Sequence, residues 1–218
     1  IKYGGPVLRV TLQRLFNLIL TYEYIPLNFK KGILVPIPKG AKSQLFQDNY
    51  RGITLLTVTS KMFEKCVTNR LNKWAIEKGL ISEVQGALQQ KCSSLHAAWV
   101  IKEVIADRKQ RGLQTHVCML DIRKCFDTIW HEGLFLKLYD VGIVGKTWRV
   151  LRNLYRNFTC NVRVQNQLSE DIYIERGLHQ GAPCSMFFFT IFINELLEKL
   201  QAVYPYIKLC DQVINCLA

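Results

Sequence analysis

Residues 117–134, VCMLDIRKCFDTIWHEGL, are the stretch of this sequence that decides its fold class. The stretch begins with a run of apolar residues that stops at Asp121, and Phe126 and Asp127 follow a few positions later. The apolar run predicts a buried strand over residues 115–121 with Asp121 at its carboxyl end. A carboxylate held there suits a hard divalent cation such as Mg²⁺, which prefers oxygen ligands. A lone aspartate can equally cap the following turn, so the pattern alone leaves both interpretations open.

The composition narrows the class of protein. The chain has 218 residues, of which 49% are hydrophobic, and this is typical of a globular protein that buries a core. Its 29 basic residues exceed its 17 acidic ones, which gives a net charge of +12. A polyanionic partner is therefore favoured, with nucleic acid ahead of an anionic membrane surface. The apolar runs are far shorter than the ~20 residues of a membrane span, so no membrane partner is predicted.

The eight cysteines indicate the cellular environment. They are scattered singly, and the absence of a CxxC pair argues against a zinc site. Several lie in apolar runs, where a free thiol packs like a small hydrophobic group. No signal peptide is recognisable in the first residues, so we expect an intracellular, reducing location in the nucleus or the cytoplasm.

Hydrophobic periodicity predicts helices that alternate with strands. The predicted helices cover residues 6–22, 60–79, 94–110, 131–141 and 145–157, and a last one starts after Pro183. The predicted strands cover residues 32–37, 53–58, 115–121, a hairpin over 159–166 and 171–175, and a short pair after 206. Pro36 lacks an N–H donor, which puts its strand at an edge or a bend. This order predicts an α+β fold with a mixed sheet backed by helices.

Five ordered blocks resemble the reverse transcriptase domain of non-LTR (LINE-type) retrotransposons. The first three are IPLNFKKGILVPIPKG (25–40), NYRGITLLTVTSKMFEKCVTNRL (49–71) and ISEVQGALQQKCSSLHAAWVI (81–101). The last two are DIRKCFD (121–127) and RGLHQGAPCSMFFFTIFINEL (176–196). The blocks cover nearly the whole chain, and NYRGITLL and HQGAPCS are the most specific. A group II intron-type or telomerase-type relative shares the chemistry but fits NYRGITLL less well.

The resemblance implies a right-hand polymerase, with fingers and an amino-terminal helix in residues 1–110 and part of the palm in residues 111–218. The implied activity is that of an RNA-directed DNA polymerase, which adds dNTPs to the 3′-hydroxyl of a DNA primer on an RNA template. Two Mg²⁺ ions would activate that hydroxyl and stabilise the leaving pyrophosphate. An endonuclease domain elsewhere in the full-length protein is a further implied partner.

The resemblance also assigns roles around the opening stretch. Asp121 matches the catalytic acid that binds both metals. Phe126 matches the residue beneath the incoming sugar, where a bulky ring leaves no room for a 2′-hydroxyl and thereby selects dNTPs. Asp127 belongs to the same pattern, and we expect it to act structurally through hydrogen bonds rather than as a metal ligand.

Residues from the other blocks match nucleotide and template contacts. Lys39 and Arg51 match the basic finger residues that clamp the triphosphate, one as a flexible point charge and one as a planar fork. Gln180 and Gly181 match the loop that contacts the dNTP or the nascent base pair, with the glycine permitting close backbone approach. Lys91 is the remaining candidate for a contact with the template backbone.

One departure from the family pattern changes the expected activity. The other metal-binding acids of the family lie in an aromatic-Ala-Asp-Asp hairpin, whereas this chain stops at INCLA (214–218), which resembles the strand leading into it. We therefore expect a fragment that does not catalyse by itself. The alternative is a catalytically dead relic or co-opted fragment that binds nucleic acid without polymerising.

Overall fold

The structure, a computed structural model, describes residues 3–40, 43–82, 85–86, 93–202, 208–209 and 212–213. The chain divides into two compact units. The first unit comprises residues 1–70 and 126–185, and the second comprises residues 71–125 and 186–218. The division into fingers and palm after residue 110 is a functional assignment and stays a prediction.

Six α-helices form within the described residues, and they confirm the predicted ones to within about two residues at each end. Pro183 begins the last helix. Proline suits this position because the N–H groups of the first turn have no partner within the helix, so its missing N–H costs no hydrogen bond. None of the helices in the described part of the chain combines the length and the apolar character needed to cross a membrane. The helices are α1 (Gly5–Tyr22), α2 (Val58–Glu77), α3 (Ser94–Gln110), α4 (His131–Asp140), α5 (Gly145–Tyr155) and α6 (Pro183–Ala202).

The first unit contains a mixed sheet of five strands, which confirms the predicted α+β class. Its strands are β1 (Lys31–Pro38), β2 (Tyr50–Leu56), β3 (Thr159–Val164), β4 (Gln167–Leu168) and β5 (Ile172–Tyr173). Strand β1 pairs antiparallel with β2 and parallel with β3, so β2 forms one edge. Strands β4 and β5 both pair antiparallel with β3, as expected for the predicted hairpin.

The proline in β1 lies where the sheet narrows. Pairing of β1 with β3 ends at Leu34, whereas pairing with β2 continues to Pro38. Pro36 therefore has a neighbouring strand on one side only, and its missing N–H breaks no ladder on the other side. Strand β1 itself is interior, between β2 and β3, so the predicted edge position of this strand is wrong, although Pro36 lies beyond the residues that pair with β3.

In the second unit, two short strands and a buried glutamine are the clearest features. Strands β6 (Lys208–Leu209) and β7 (Gln212–Val213) pair antiparallel, which confirms the predicted short strand pair. The Gln85 side chain is buried and donates from Nε2 to the Thr190 carbonyl oxygen at 2.9 Å. This hydrogen bond attaches the stretch after α2 to α6 within the unit.

The predicted strand over residues 115–121 is wrong. This stretch contains neither helix nor strand, and Val117, Met119 and Leu120 are 50%, 86% and 74% exposed. A strand is stable only where a neighbouring strand takes up its N–H and C=O groups, and no described strand pairs with this stretch. Asp121, which is also exposed, therefore does not sit at the tip of a buried strand.

A cluster of buried hydrophobic residues supports the sheet of the first unit. Leu56, Phe158, Cys160 and Ala182 form a buried cluster against which Leu34 packs. Because Ala182 immediately follows the Gln180–Gly181 pair, this cluster anchors the loop that carries both residues to the sheet. The position of that loop is therefore fixed by the packing of the first unit.

Candidate functional site

Three stretches of the first unit carry most of the residues predicted to form the site. They are the start of β2, residues 126–131, which we call the gate segment, and residues 176–181, which we call the glutamine loop. Asp121 belongs to the second unit, and Lys91 lies outside the described residues.

The gate segment and the glutamine loop are joined backbone to backbone. The Leu178 N–H donates to the Phe126 carbonyl oxygen at 2.6 Å, and the Gly177 N–H donates to the Ile129 carbonyl oxygen at 2.8 Å. Phe126 is half-buried and Ile129 is buried. The glutamine loop therefore holds the backbone of Phe126 in place.

A side-chain hydrogen bond joins the same two stretches. Gln180 Nε2 donates to Asp127 Oδ1 at 2.7 Å. This bond confirms the expectation that Asp127 acts through hydrogen bonds. It also shows a partner for Gln180 that sequence analysis did not identify, because the two residues are 53 positions apart.

The glutamine loop also attaches to the outer edge of β2. Strand β2 has no neighbouring strand on its outer side. There the Thr54 N–H donates to the Gln180 carbonyl oxygen at 2.8 Å. Gly181 has a φ of +107°, and a Cβ atom there would lie 3.2 Å from the Thr54 carbonyl oxygen. Gly181 thus permits close approach of the glutamine loop to β2, and its predicted approach to a nucleotide stays a prediction.

Both predicted triphosphate ligands lie at one end of the β1–β2 pair. Lys39 follows β1 directly, and its Nζ donates to the Asp48 carbonyl oxygen at 2.9 Å. Arg51 pairs with Ile37 in the sheet and is exposed, and its guanidinium has no hydrogen-bond or ion-pair partner among the described residues. Arg51 precedes Thr54 by three strand positions, a distance of roughly 10 Å. Its guanidinium donors are thus available to an anion near the glutamine loop.

His179 is a structural residue of the site that sequence analysis missed. Its ring is stacked on Tyr155 and Phe158, with centroid distances of 4.5 Å and 3.7 Å. Its carbonyl oxygen accepts from Ser185 Oγ at 2.8 Å, in the first turn of α6. Burial, and secondarily the charge of His131, lowers the pKa of His179 to about 3. The spacing of the four histidines matches no metal-ligand pattern, so the sequence alone indicates no chemistry for them.

His131 makes a second link between the gate segment and the glutamine loop. Its Nε2 lies 2.7 Å from the Gly177 carbonyl oxygen, which can only accept, so the ring donates. The ring edge packs against Tyr155 at a centroid distance of 5.1 Å. Burial lowers the pKa of His131, which favours the neutral ring.

A buried carboxyl group lies beside the first turn of α6. Glu64 is 5% exposed and accepts from Ser60 Oγ at 3.4 Å. Its nearest neighbour on α6 is Cys184, whose thiol contacts the Glu64 backbone oxygen and lies 3.0 Å from Thr68 Oγ1. Burial outweighs these hydrogen bonds and raises the pKa of Glu64 to about 7. The group therefore titrates near neutral pH.

The described residues do not form a metal site by themselves. No group of three or more histidine, cysteine or acidic side chains that could hold a metal ion occurs among them. Asp121 is exposed and can supply one carboxylate, whereas a pair of divalent cations needs several. Residues 214–218, the strand expected to precede the acidic hairpin, lie outside the described residues.

Comparison with known families identifies the chain. The family described as reverse transcriptase (RNA-dependent DNA polymerase) matches residues 37–216, which is well over half of the sequence. The chain belongs to the reverse transcriptase family. The match includes the gate segment, the glutamine loop and Arg51, so the residues brought together in the first unit all lie within the reverse transcriptase domain. Reverse transcriptases are generally metal-dependent and act on nucleic acids.

Similar curated proteins are reverse transcriptases of non-LTR retrotransposons, which confirms the resemblance. The chain is 25% identical over 185 residues to "Probable RNA-directed DNA polymerase from transposon BS" of Drosophila melanogaster, covering 85% of the chain and 20% of that protein. It is 26% identical over 201 residues to the X-element polymerase of the same organism, covering 91% and 22%. It is 27% identical over 198 residues to the type-1 R2 Pol polyprotein of Popillia japonica, covering 90% and 27%. The chain spans between about a fifth and about a quarter of these relatives.

Proposed function

We propose that this chain is the nucleotide-binding part of an RNA-directed DNA polymerase, which adds dNTPs to the 3′-hydroxyl of a DNA primer on an RNA template. The observation that carries the proposal is the family match over residues 37–216, within which the glutamine loop is hydrogen-bonded both to the gate segment and to β2. The relatives named as RNA-directed DNA polymerases support this activity.

Phe126 is the proposed sugar gate. Its half-buried ring projects from a backbone position that the glutamine loop holds through Leu178. A ring held in this position would leave no space for a 2′-hydroxyl, so the site would select dNTPs over rNTPs. The backbone hydrogen bond supports this role because a gate discriminates only if its position is fixed.

Arg51 and Lys39 are the proposed triphosphate ligands. The exposed guanidinium of Arg51, without a partner among the described residues, offers a planar fork that matches phosphate oxygens. One of the three Lys39 donors binds the Asp48 carbonyl oxygen, which leaves the others for a ligand. Both residues add to a chain whose net charge is +12, as a polyanionic substrate requires.

Gln180 and Gly181 are proposed to contact the dNTP or the nascent base pair. The loop attaches to β2 through the Gln180 carbonyl oxygen and the close approach of Gly181. The Gln180 side chain is thereby presented from a fixed backbone. Lys91 remains a proposed template-backbone contact and lies outside the described residues.

Asp121 is proposed as one ligand of a site for two Mg²⁺ ions, whose other acids come from an aromatic-Ala-Asp-Asp hairpin. Bound Mg²⁺ would supply charge stabilisation to phosphoryl transfer. The absence of an acid cluster among the described residues means that Asp121 alone does not fit such a site. The alternative function is that of a catalytically dead relic or co-opted fragment that binds nucleic acid.

The proposed partners are an RNA template, a DNA primer and dNTPs. An endonuclease domain elsewhere in the full-length protein and a location in the nucleus or the cytoplasm are further parts of the proposal.

Primer extension on an RNA template, measured with the product of the gene that encodes this chain, tests the proposal. We expect dNTP-dependent extension that Asp121→Asn abolishes and that Asp140→Asn, at an exposed acid on α4, leaves unchanged. Extension that survives Asp121→Asn would remove the metal role. Binding of template and primer without any extension would favour the relic.

A further inference from the structure

We propose that Asp127 is a positioning residue that fixes the orientation of the Gln180 amide, so that Gln180 offers its Oε1 atom as a hydrogen-bond acceptor to the bound nucleotide. This inference rests on the proposed function. It starts from the 2.7 Å hydrogen bond between Gln180 Nε2 and Asp127 Oδ1.

The chemistry of the two side chains determines which end of the amide faces Asp127. An ionised carboxylate accepts hydrogen bonds and donates none, whereas a primary amide carries donors on its nitrogen and acceptors on its oxygen. Only the nitrogen of Gln180 can therefore face Asp127. The amide oxygen is left directed elsewhere, and a ligand that meets it must supply a donor.

Asp127 itself is held by the backbone on both sides of it. The neighbouring Phe126 carbonyl oxygen accepts from Leu178, and the Ile129 carbonyl oxygen accepts from Gly177. The carboxylate therefore projects from a fixed stretch of the gate segment, and its position does not depend on Gln180.

The backbone of Gln180 is held independently of Asp127. Its carbonyl oxygen accepts from the Thr54 N–H at 2.8 Å. The preceding residue, His179, stacks on Tyr155 and on Phe158, and its carbonyl oxygen accepts from Ser185 Oγ. Removing the charge of Asp127 should therefore release the orientation of one amide without releasing the loop. An orientation role predicts altered ligand binding at unchanged stability, whereas a purely structural role predicts the reverse.

Three variants separate these roles. Asp127→Asn removes the constraint, because an amide can face Gln180 with either end. Gln180→Glu sets two carboxylates against each other. The double variant restores a hydrogen bond of reversed polarity, since the new amide nitrogen at position 127 can donate to a carboxylate at position 180. The double variant also keeps the net charge of the pair and an acceptor at position 180. Asp171→Asn, in an exposed ion pair with Lys31, is the matched control.

The first measurement needs no nucleotide. The side-chain amide signals of Gln180 are followed by nitrogen-edited NMR in the 218-residue chain. We expect one hydrogen-bonded amide proton in the unmodified chain, and a shifted or exchange-broadened signal in Asp127→Asn but not in Asp171→Asn. An unchanged Gln180 signal in Asp127→Asn overturns the inference.

The second measurement is the affinity of the product of the source gene for the dNTP complementary to the next template base, with template, primer and Mg²⁺ present. We expect Asp127→Asn to weaken binding by about tenfold, as for one lost hydrogen bond. Gln180→Glu should weaken it further, and the double variant should recover most of the loss, with urea midpoints unchanged. A double variant no better than Gln180→Glu overturns the inference. If the unmodified gene product binds no dNTP while the NMR signature is present, the proposed function fails, whereas the orientation of the Gln180 amide by Asp127 stands.

Discussion

A Cβ atom on Gly177 would lie 2.8 Å from the carbonyl oxygen of Asp127. The two backbones are thus in direct contact where the glutamine loop crosses the gate segment, and Gly177 adopts a φ of +89° there. Any side chain at position 177 would push these stretches apart. Since the Leu178 and Gln180 hydrogen bonds both depend on that spacing, Gly177 is a structural requirement of the site.

Gly177→Ala should lower the free energy of unfolding by about 2 kcal/mol or more, through backbone strain and a backbone clash. Urea unfolding measures this change. Gly40→Ala is the matched control, because Gly40 also has a positive φ, +58°, but has open space around its Cβ position. Equal losses in both variants would mean that strain alone, and not contact with Asp127, accounts for the effect.

Phe126→Val should admit ribonucleotides, since the smaller side chain opens space beside the sugar. The preference for dNTP over rNTP, measured as a ratio of kcat/KM in primer extension by the product of the source gene, should fall by about 10- to 100-fold. Phe46→Val, at an exposed phenylalanine, is the control. Unchanged discrimination would remove Phe126 as the sugar gate.

Glu64→Gln should stabilise the protein at alkaline pH. The pKa of Glu64 is raised from 4.5 to about 7 by burial, so between these values the unfolded chain ionises while the folded chain stays protonated. The free energy of unfolding contributed by Glu64 therefore falls as the pH rises through that window, and the penalty is complete above pH 7. An amide at position 64 cannot ionise, so the variant should gain about 2 to 3 kcal/mol at pH 8 and nothing at pH 4.

Urea unfolding at the two pH values measures the difference, and Glu170→Gln, at an exposed carboxyl, is the control. A gain of the same size at pH 4 would mean that the substitution acts through packing rather than through ionisation.

His179→Phe should make the protein less sensitive to acid. The pKa of His179 is lowered from 6.5 to about 3, so below pH 6.5 the unfolded chain binds a proton that the folded chain does not. Stability from the neutral ring is fully present above pH 6.5 and is lost as the pH falls toward 3. Phenylalanine keeps the stacking on Tyr155 and Phe158 but takes no proton. At pH 4.5 the free energy of unfolding of the variant, measured with urea, should exceed that of the parent by roughly 2 to 3 kcal/mol.

The comparison variant for this experiment is His116→Phe, at an exposed position. It should leave the slope of stability against pH unchanged. An acid slope that persists in His179→Phe would assign the acid sensitivity to another group.

Local sequence signals predicted most of the fold. Helices such as α1 and α3 follow from apolar residues that recur every three or four positions. Pro183 marks the start of α6. Strand β1 and the hairpin over β3 and β5 were also predicted, because alternation and turn residues are local. The strand prediction for residues 115–121 is wrong because an apolar run forms a strand only beside a partner strand. The sequence does not reveal whether such a strand is present.

The sequence proposes residues for the site but not the contacts between them. Arg51, Phe126, Gln180 and Gly181 were singled out by family resemblance, and only the close approach of Gly181 has a local signal. The bond from Gln180 to Asp127 spans 53 positions, and no periodicity reports a pairing of that kind. The stacking of His179 likewise depends on two rings that only the folded chain brings to it.

The hydrogen bond from Thr54 to the Gln180 carbonyl oxygen has a consequence for solution behaviour. Strand β2 borders the sheet, and an open border of N–H groups invites strands of other molecules to add on. The glutamine loop occupies that border at Thr54 and so shields the chain from intermolecular sheet growth. Substitutions that dislodge the loop should therefore promote aggregation, and loss of activity in such variants has to be separated from loss of monomeric protein.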